Sequence, residues 1–231
     1  MPNQEIYLTT ITSFLISASI ITETVGSWFR YIGAANNEPT CGYSTHVRVA
    51  TASRLFIVLA APAIGYTVDT SSSIQQFALI GTLVFAITTL ILYANKDPNY
   101  LILKAYNFIN SSRIRKITNP AKTNTNNHKS TPRFQIASLL SFIFTASGII
   151  IVNMLAAQMK EYKATIIQMS AFITMTGTVI HTFYVDPALS KTADQNPAEN
   201  YQMVKNFIIG RIYGSALLSA IFLTILIKDL S

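Results

Sequence analysis

Six long apolar stretches run through this 231-residue chain, and they constrain its fold more than any other feature. Each is about 20 residues or more, the length that a helix needs to cross roughly 30 Å of hydrocarbon. Strands of a membrane β-barrel would be shorter and would alternate in polarity, so the stretches predict helices. We therefore predict an all-α integral membrane protein with about six transmembrane helices. The predicted spans are residues 6–29, 47–68, 74–94, 134–157, 164–185 and 204–227.

The composition agrees with a lipid environment. Half of the residues are hydrophobic and 12% are charged, whereas about 25% of the residues in a soluble domain carry charge. The first stretch follows Glu5 without a basic residue and is too long for a signal peptide, so we expect a retained helix. The single cysteine, Cys41, excludes an internal disulfide and a cysteine metal cluster. We predict no metal and no cofactor.

A basic connection, residues 95–133, separates two halves of three spans each, residues 1–94 and 134–231. Its first part mixes apolar and basic residues and predicts an amphipathic helix on an anionic membrane surface. Residues 119–131 predict a disordered linker. Asp97 is the only acid of the connection. The cations of the connection are Lys96, Lys104, Arg113, Arg115, Lys116, Lys122, Lys129 and Arg133.

The positions of the cations predict the orientation. The positive-inside rule places the connection in the cytoplasm, and alternation of the spans then places both termini outside. Arg30, Arg48, Lys191 and Lys205 join the connection on the cytoplasmic side. The outer side holds Lys160, Lys163 and Lys228. This bias accounts for the net charge of +7 without a nucleic-acid partner.

Three spans in each half would give the halves opposite topology, as in transporters with inverted repeats. Short sequence matches between the two halves also predict an inverted repeat. The matching pairs are Ser13-Phe14 with Ser141-Phe142, Ala18-Ser19 with Ala146-Ser147, and Val68-Asp69 with Val185-Asp186.

Ionisable residues within spans are costly and indicate function. Glu23, Arg54, His181 and Arg211 all fall in the half of the predicted membrane nearest the connection. Two arginines against one glutamate leave a net positive charge, and arginine binds phosphate through a planar fork. The pattern predicts a cavity that opens to the cytoplasmic leaflet and takes a lipid with a phosphorylated headgroup. In the alternative interpretation, a Glu23–Arg54 pair only locks two helices together.

Several further residues are candidates for gating or support. Pro62 allows a kink in the second span. Asp69 and Asp186 are expected at span ends, and His181 either bonds between helices or carries a proton. His181 and Asp186 are five residues apart, so we expect them to point in different directions. Gly210 and Gly214 form a pattern that permits close helix packing.

A series of residues in spans one, two, five and six carries a family resemblance. The series is Glu23-Thr24, Arg30, Gly33, Ser53-Arg54, Ala61-Pro62, Gly65, Val68-Asp69, Glu161-Tyr162, Ala164-Thr165, Gln168, Ser170, Val185-Asp186-Pro187, Asp194, Gly210-Arg211, Gly214 and Leu217-Leu218. In this order and spacing, the chain resembles the Amj family, the alternate lipid II flippases of bacteria. Residues 34–40, which hold Glu38 instead of basic residues, and Arg48 depart from the pattern of that family.

The resemblance implies a multi-pass protein of the bacterial cell membrane that moves undecaprenyl-pyrophosphate-linked peptidoglycan precursor to the outer leaflet. We expect Arg54 and Arg211 to bind the pyrophosphate and Glu23 to orient Arg54. Arg30 and Arg48 would gather anionic headgroups at the entrance, although Arg48 alternatively snorkels to the lipid headgroups. The protein would not be an enzyme.

Three other functions remain open from the sequence. An intramembrane enzyme acting on a phosphorylated lipid would need a nucleophile with a base, or clustered carboxylates for a metal. A small proton- or ion-coupled anion transporter would use Glu23 or His181 as its carrier. A structural membrane subunit would use the charges only for pairing between helices.

Overall fold

The computed structural model describes residues 2–70, 74–110 and 132–228, and the secondary structure of this part of the chain is helical throughout. A 3-10 turn, Lys160–Tyr162, precedes α7, and a π-helical turn, His181–Val185, joins α7 to α8. The predicted linker at 119–131 and the cations from Arg113 to Lys129 lie outside the described residues. The helices are α1 (Pro2–Gly26), α2 (Trp28–Ala35), α3 (Pro39–Thr70), α4 (Ile74–Ala94), α5 (Tyr100–Asn110), α6 (Pro132–Gln158), α7 (Lys163–Ile180), α8 (Asp186–Gln195) and α9 (Pro197–Lys228).

The prediction of six membrane-spanning helices is confirmed within the described residues. The third span has the predicted bounds, but the others continue beyond them, because hydropathy marks the apolar middle of a helix and not its polar ends. α3, for example, begins at Pro39, eight residues before the predicted start at Val47. The helical segments long and apolar enough to cross a membrane are Ile6–Ala35, Pro39–Thr70, Ile74–Ala94, Pro132–Gln158, Lys163–Gln195 and Pro197–Lys228.

Four helices form the centre of the bundle, and two lie at its side. α4 packs against α9, α1 packs against α4, and α6 packs against α9. α3 lies mainly on α1 and α2, and α7 lies mainly on α6. Each of the spans that contain α3 and α7 has an apolar stretch of 18 residues, and only 11% of that stretch is buried. Their large side chains therefore face outwards, as lipid-facing residues do.

Glycines set the closest approaches between helices. A Cβ on Gly210 would lie 2.8 Å from the carbonyl oxygen of Gln135, and one on Gly214 would lie 2.8 Å from Cδ1 of Phe142. The predicted close packing at these two glycines is therefore confirmed, against α6. At the α2–α3 turn, a Cβ on Gly33 would lie 2.5 Å from the Cα of Gly42. Side chains at either position would force the two helices apart.

The two ends of the bundle differ in construction. The end at which α2, α5 and α8 lie is called the connection end, and the opposite end, near Thr70 and Lys163, the terminus end. At the connection end Trp28, Tyr31 and Tyr201 form a buried aromatic cluster. α5 buries Ile102 and Tyr106 and leaves its other face exposed. A helix is therefore present in the first part of the connection, and its amphipathic placement on a membrane surface stays a prediction.

Candidate functional site: a charged cleft between the two halves

A cleft of about 130 Å³ lies within the bundle, between helices of the first half and helices of the second. Its charged lining consists of Glu23 on α1, Arg54 on α3 and Arg211 on α9. The rest of the lining is largely apolar, including Ile16 and Ile149. The tertiary structure therefore brings together the three residues that the sequence predicted as the core of the site.

Arg211 is the most firmly held of these residues. Its Nη2 donates to Oε1 of Glu23 at 3.1 Å, and its Nη1 donates to the hydroxyl of Thr24 at 2.8 Å. The guanidinium also lies 4.5 Å from the ring centroid of Phe207, in a cation–π contact. Arg211 is 4% exposed, and its Nε is buried without a partner among the described residues.

The environment of Arg54 differs from that of Arg211. It is exposed, lines the cleft, and forms no ion pair within residues 2–70, 74–110 and 132–228. The expected Glu23–Arg54 pair is wrong, because the carboxylate of Glu23 is bound by Arg211. The sequence places Arg54 and Arg211 at a similar depth in the membrane. Which of them binds Glu23 therefore depends on how α9 packs against α1. The consequence is a cleft with one paired and one unpaired guanidinium.

The connection end carries a second charged cluster. Nη2 of Arg30 donates to Oδ1 of Asp186 at 2.5 Å, and Nε2 of His181 lies 3.8 Å from the same oxygen. Arg30 is 3% exposed and also stacks over the ring of Tyr43 at 4.8 Å. His46 is buried near this cluster.

The π-helical turn explains why the expectation for His181 and Asp186 is wrong. The amide of Asp186 donates to the carbonyl of His181, an i to i+5 hydrogen bond. Residues five apart therefore come round to the same side of the helix, whereas a regular α-helix would separate them. The turn also presents Asp186 to Arg30 across the gap between the halves.

The cleft departs from the sequence expectation in one further respect. Its lining extends from Glu23 and Arg211 towards Ile16 and Ile149, away from the connection end. The Arg30–Asp186 pair lies on the other side, between the cleft and the connection end. The lining therefore extends away from the end at which the sequence predicts an opening, and that opening stays a prediction.

Ion pairs at three levels join residues of the first half and the connection to the second half. Lys163 pairs with Asp69 at the terminus end and also donates to the carbonyl of Val68. Arg211 pairs with Glu23 in the cleft. At the connection end, Lys205 pairs with Asp97 at 2.7 Å. The ion pairs of Arg30, Lys163 and Arg211 therefore link the two halves, and the ion pair of Lys205 links the connection to the second half.

Asp97 belongs to a small polar group outside the spans. It accepts hydrogen bonds from the hydroxyl of Tyr201 and the ammonium of Lys205, each at 2.7 Å. Burial opposes ionisation of Asp97, but these two hydrogen bonds outweigh it and hold the pKa of the carboxyl below its ordinary value. The carboxylate is therefore stabilised in its charged form.

The remaining predicted residues lie outside the cleft. Arg48 is exposed on α3, and Pro62 is exposed within α3, which stays helical through it. Asp69 lies at the end of α3 as expected, whereas Asp186 begins α8 in a helical segment that continues to Gln195. The kink, the gate and the headgroup contacts stay predictions.

Sequence reasoning missed several supporting residues. Phe207 stands four residues before Arg211, a spacing that places the two side chains on one helix face and could have suggested their cation–π contact. Tyr43 and Lys163 gave no such signal, because their partners are distant in the sequence. Within the described ranges, no three His, Cys, Asp or Glu side chains are grouped as metal ligands. No family model matches the chain, and no similar curated protein or solved structure is found.

Proposed function

We propose that this protein is a flippase of the bacterial cell membrane that moves the polyprenyl-pyrophosphate-linked peptidoglycan precursor, lipid II, from the cytoplasmic to the outer leaflet. The observation that carries the proposal is the cleft between the halves, which is lined both by Arg211, paired with Glu23, and by Arg54, which has no ion pair among the described residues. A cation within an apolar span is costly unless it serves a ligand or a pathway. The resemblance to the Amj family points to the same substrate.

The charge balance of the cleft favours an anionic ligand. Glu23 neutralises Arg211, which leaves the guanidinium of Arg54 without a counter-charge in the described lining. A pyrophosphate supplies that charge and matches the planar donor fork of arginine. In this proposal Arg54 contacts the phosphate first. Arg211 contributes a fixed positive field, since its own hydrogen bonds are largely used within the protein.

The arrangement of ion pairs supports transport by alternating access. The cleft lies between the halves, and pairs that link the halves lie on both sides of it. Breaking Asp69–Lys163 would free the terminus end, and breaking Arg30–Asp186 would free the connection end. Rigid movement of one half against the other around a central site is the usual transport mode of inverted-repeat proteins.

The packing order of the helices supports an inverted repeat. In the first half α1 packs against both α3 and α4, and in the second half α6 packs against both α7 and α9. The last spans of the two halves, α4 and α9, pack against each other. In this proposal the connection is cytoplasmic, both termini are outside, and the Arg30–Asp186 pair breaks when the cleft opens to the cytoplasm.

The test is an outer-leaflet accessibility assay for lipid II in cells whose usual flippase is switched off. Cells with the wild-type protein should accumulate accessible lipid II, and cells with Arg54→Gln should lose most of this rescue. Arg133→Gln is the matched control, since it removes an exposed arginine outside the cleft. Rescue by Arg54→Gln as well as by Arg133→Gln would support the flippase function and overturn Arg54 as its binding site. No rescue by a correctly inserted wild-type protein would overturn the function.

The size of the cleft favours a second candidate, a proton- or ion-coupled transporter of a small anion. A volume of about 130 Å³ holds a small anion more readily than a large headgroup. Uptake of radiolabelled phosphate into proteoliposomes, with and without a pH gradient, separates the two functions. Arg54-dependent phosphate uptake with no movement of lipid II would establish the transporter and reject the flippase.

A further inference from the structure

A second pocket, of about 190 Å³, opens at the connection end and is separate from the charged cleft. It lies between the two halves. Arg30, Thr40 and Tyr43 line it from the first half, and Ser190 and Asp194 line it from the second, on α8. Asp194 has no assigned role in the cleft, and the proposed function leaves this pocket unused.

The lining combines hydrogen-bond donors and acceptors with charges of both signs, and this combination favours some ligands over others. Arg30 supplies N–H donors, Asp194 supplies carboxylate acceptors, and the hydroxyls of Thr40 and Ser190 act as both. Asp194 would repel an anion, and Arg30 would repel a cation. A neutral polyol, each of whose hydroxyls both donates and accepts, fits this combination best.

Arg30 gives independent support for a ligand. It is 3% exposed, and only its Nη2 has a hydrogen-bond partner, the carboxylate of Asp186. Its Nε and Nη1 are buried without partners among the described residues. Buried donors without partners are costly. Arg30 lines the pocket, so a ligand hydroxyl that reaches these donors through a small shift of the guanidinium would stabilise them.

The size and aromatic wall of the pocket narrow the ligand further. A cavity of about 190 Å³ is smaller than the ~300–1,000 Å³ of clefts that hold drug-sized ligands. It therefore suits a single sugar ring rather than a whole glycopeptide. Tyr43 packs against Arg30 and is 43% exposed, so part of its ring remains available to the C–H face of a sugar.

We propose that this pocket binds a sugar ring of the lipid-linked substrate at the cytoplasmic mouth, before the phosphates reach Arg54. This inference rests on the proposed function. Because the lining comes from both halves, a bound sugar would touch α2, α3 and α8 together. The pocket is then the part of the protein that distinguishes a glycosylated polyprenyl pyrophosphate from a bare one.

The experiment compares fluorescent lipid II with undecaprenyl pyrophosphate, which has no sugar. Binding is measured in nanodiscs, and translocation is measured in proteoliposomes. The variants are Asp194→Ala and Ser190→Ala, and Glu38→Ala is the matched control because it removes an exposed carboxylate at the same end, outside the pocket. Circular dichroism and thermal melting check that each variant is folded.

We expect Asp194→Ala to weaken binding of lipid II about tenfold, the scale of one hydrogen bond to a charged group. Ser190→Ala should weaken it less, and neither should change binding of undecaprenyl pyrophosphate. Equal losses for both lipids, or no loss for lipid II, would overturn the sugar pocket. Sugar-selective binding without translocation by the wild type would support the pocket and reject the flippase. Translocation of lipid II by the wild type, with no selective loss of lipid II binding in the variants, would support the flippase and reject the sugar pocket.

Discussion

The two ends of the bundle are held together by contacts of very different quality. At the connection end, the Arg30–Asp186 pair has side chains 3% and 27% exposed and lies near the aromatic cluster of Trp28, Tyr31 and Tyr201. At the terminus end, the Asp69–Lys163 pair has side chains 69% and 28% exposed. Removing one partner of a buried pair typically costs about 3–5 kcal/mol, whereas exposed pairs contribute about 0–1 kcal/mol.

This difference indicates which end separates more readily. The connection end combines a buried ion pair, three short helices and tight glycine packing. At the terminus end, among the described residues, the ion pair between α3 and α7 is exposed and lies beside buried apolar residues such as Val68 and Ile166. In the proposed flippase, we therefore expect the terminus end to separate before the connection end.

The largest effect is expected from Asp186→Asn. The change leaves Arg30 buried without its counter-charge, and we expect a loss of about 3 kcal/mol in the free energy of unfolding. Asp69→Asn at the terminus end is the matched variant and should lose about 1 kcal/mol or less. Equilibrium unfolding in detergent measures both. Equal losses at the two ends would contradict the asymmetry.

The glycine packing at the connection end gives the next effect. Gly33→Ala places a Cβ against backbone atoms of Gly42 and Glu38, which cannot rotate away, so we expect a loss of about 1–3 kcal/mol. Gly65→Ala is the control, since a Cβ there meets no atom within 4 Å and alanine favours the helix. Thermal melting of the two variants should shift in opposite directions. A stable Gly33→Ala protein would show that the two helices part easily.

A smaller change in stability, with a larger change in accessibility, is expected from Lys163→Gln. The exposed pair with Asp69 should contribute no more than about 1 kcal/mol and should weaken in high salt. If this pair closes the terminus end, its loss should speed thiol labelling of Thr145→Cys in the cleft. The background carries Cys41→Ser, which removes the native thiol. Unchanged labelling would mean that the pair does not close the cleft.

The smallest effect concerns pH. The pKa of Asp97 is lowered in the folded protein, so its contribution to stability is full above the ordinary aspartate pKa and is lost as the pH falls through the lowered value. Asp97→Asn should therefore flatten the acid limb of stability against pH and leave stability near neutral pH only slightly reduced. An unchanged acid limb would show that the hydrogen bonds from Tyr201 and Lys205 are not maintained in solution.

Particular residues show how far the sequence was sufficient. The bounds of the helix at residues 74–94 were predicted correctly because polar residues directly flank the apolar stretch, so a membrane-spanning helix can begin and end only there. Glu23, Arg54 and Arg211 were grouped correctly because the depth of a residue follows from its position along its helix. The partner of Glu23 was wrong because depth does not tell which face of α9 meets α1. His181 and Asp186 were wrong because periodicity assumes a regular α-helix, which the π-helical turn interrupts.

The amino-acid sequence is enough to predict six apolar helices with cations concentrated towards one end, since in lipid the backbone of such stretches must satisfy its hydrogen bonds internally. It is also enough to predict which ionisable residues lie within those helices. The tertiary structure was needed to show that Arg211 binds Glu23, that Arg54 has no ion pair among the described residues, and that Arg30 meets Asp186 across the two halves. Those choices depend on helix rotation and on distances of a few ångströms, which arise from packing among elements far apart in the chain.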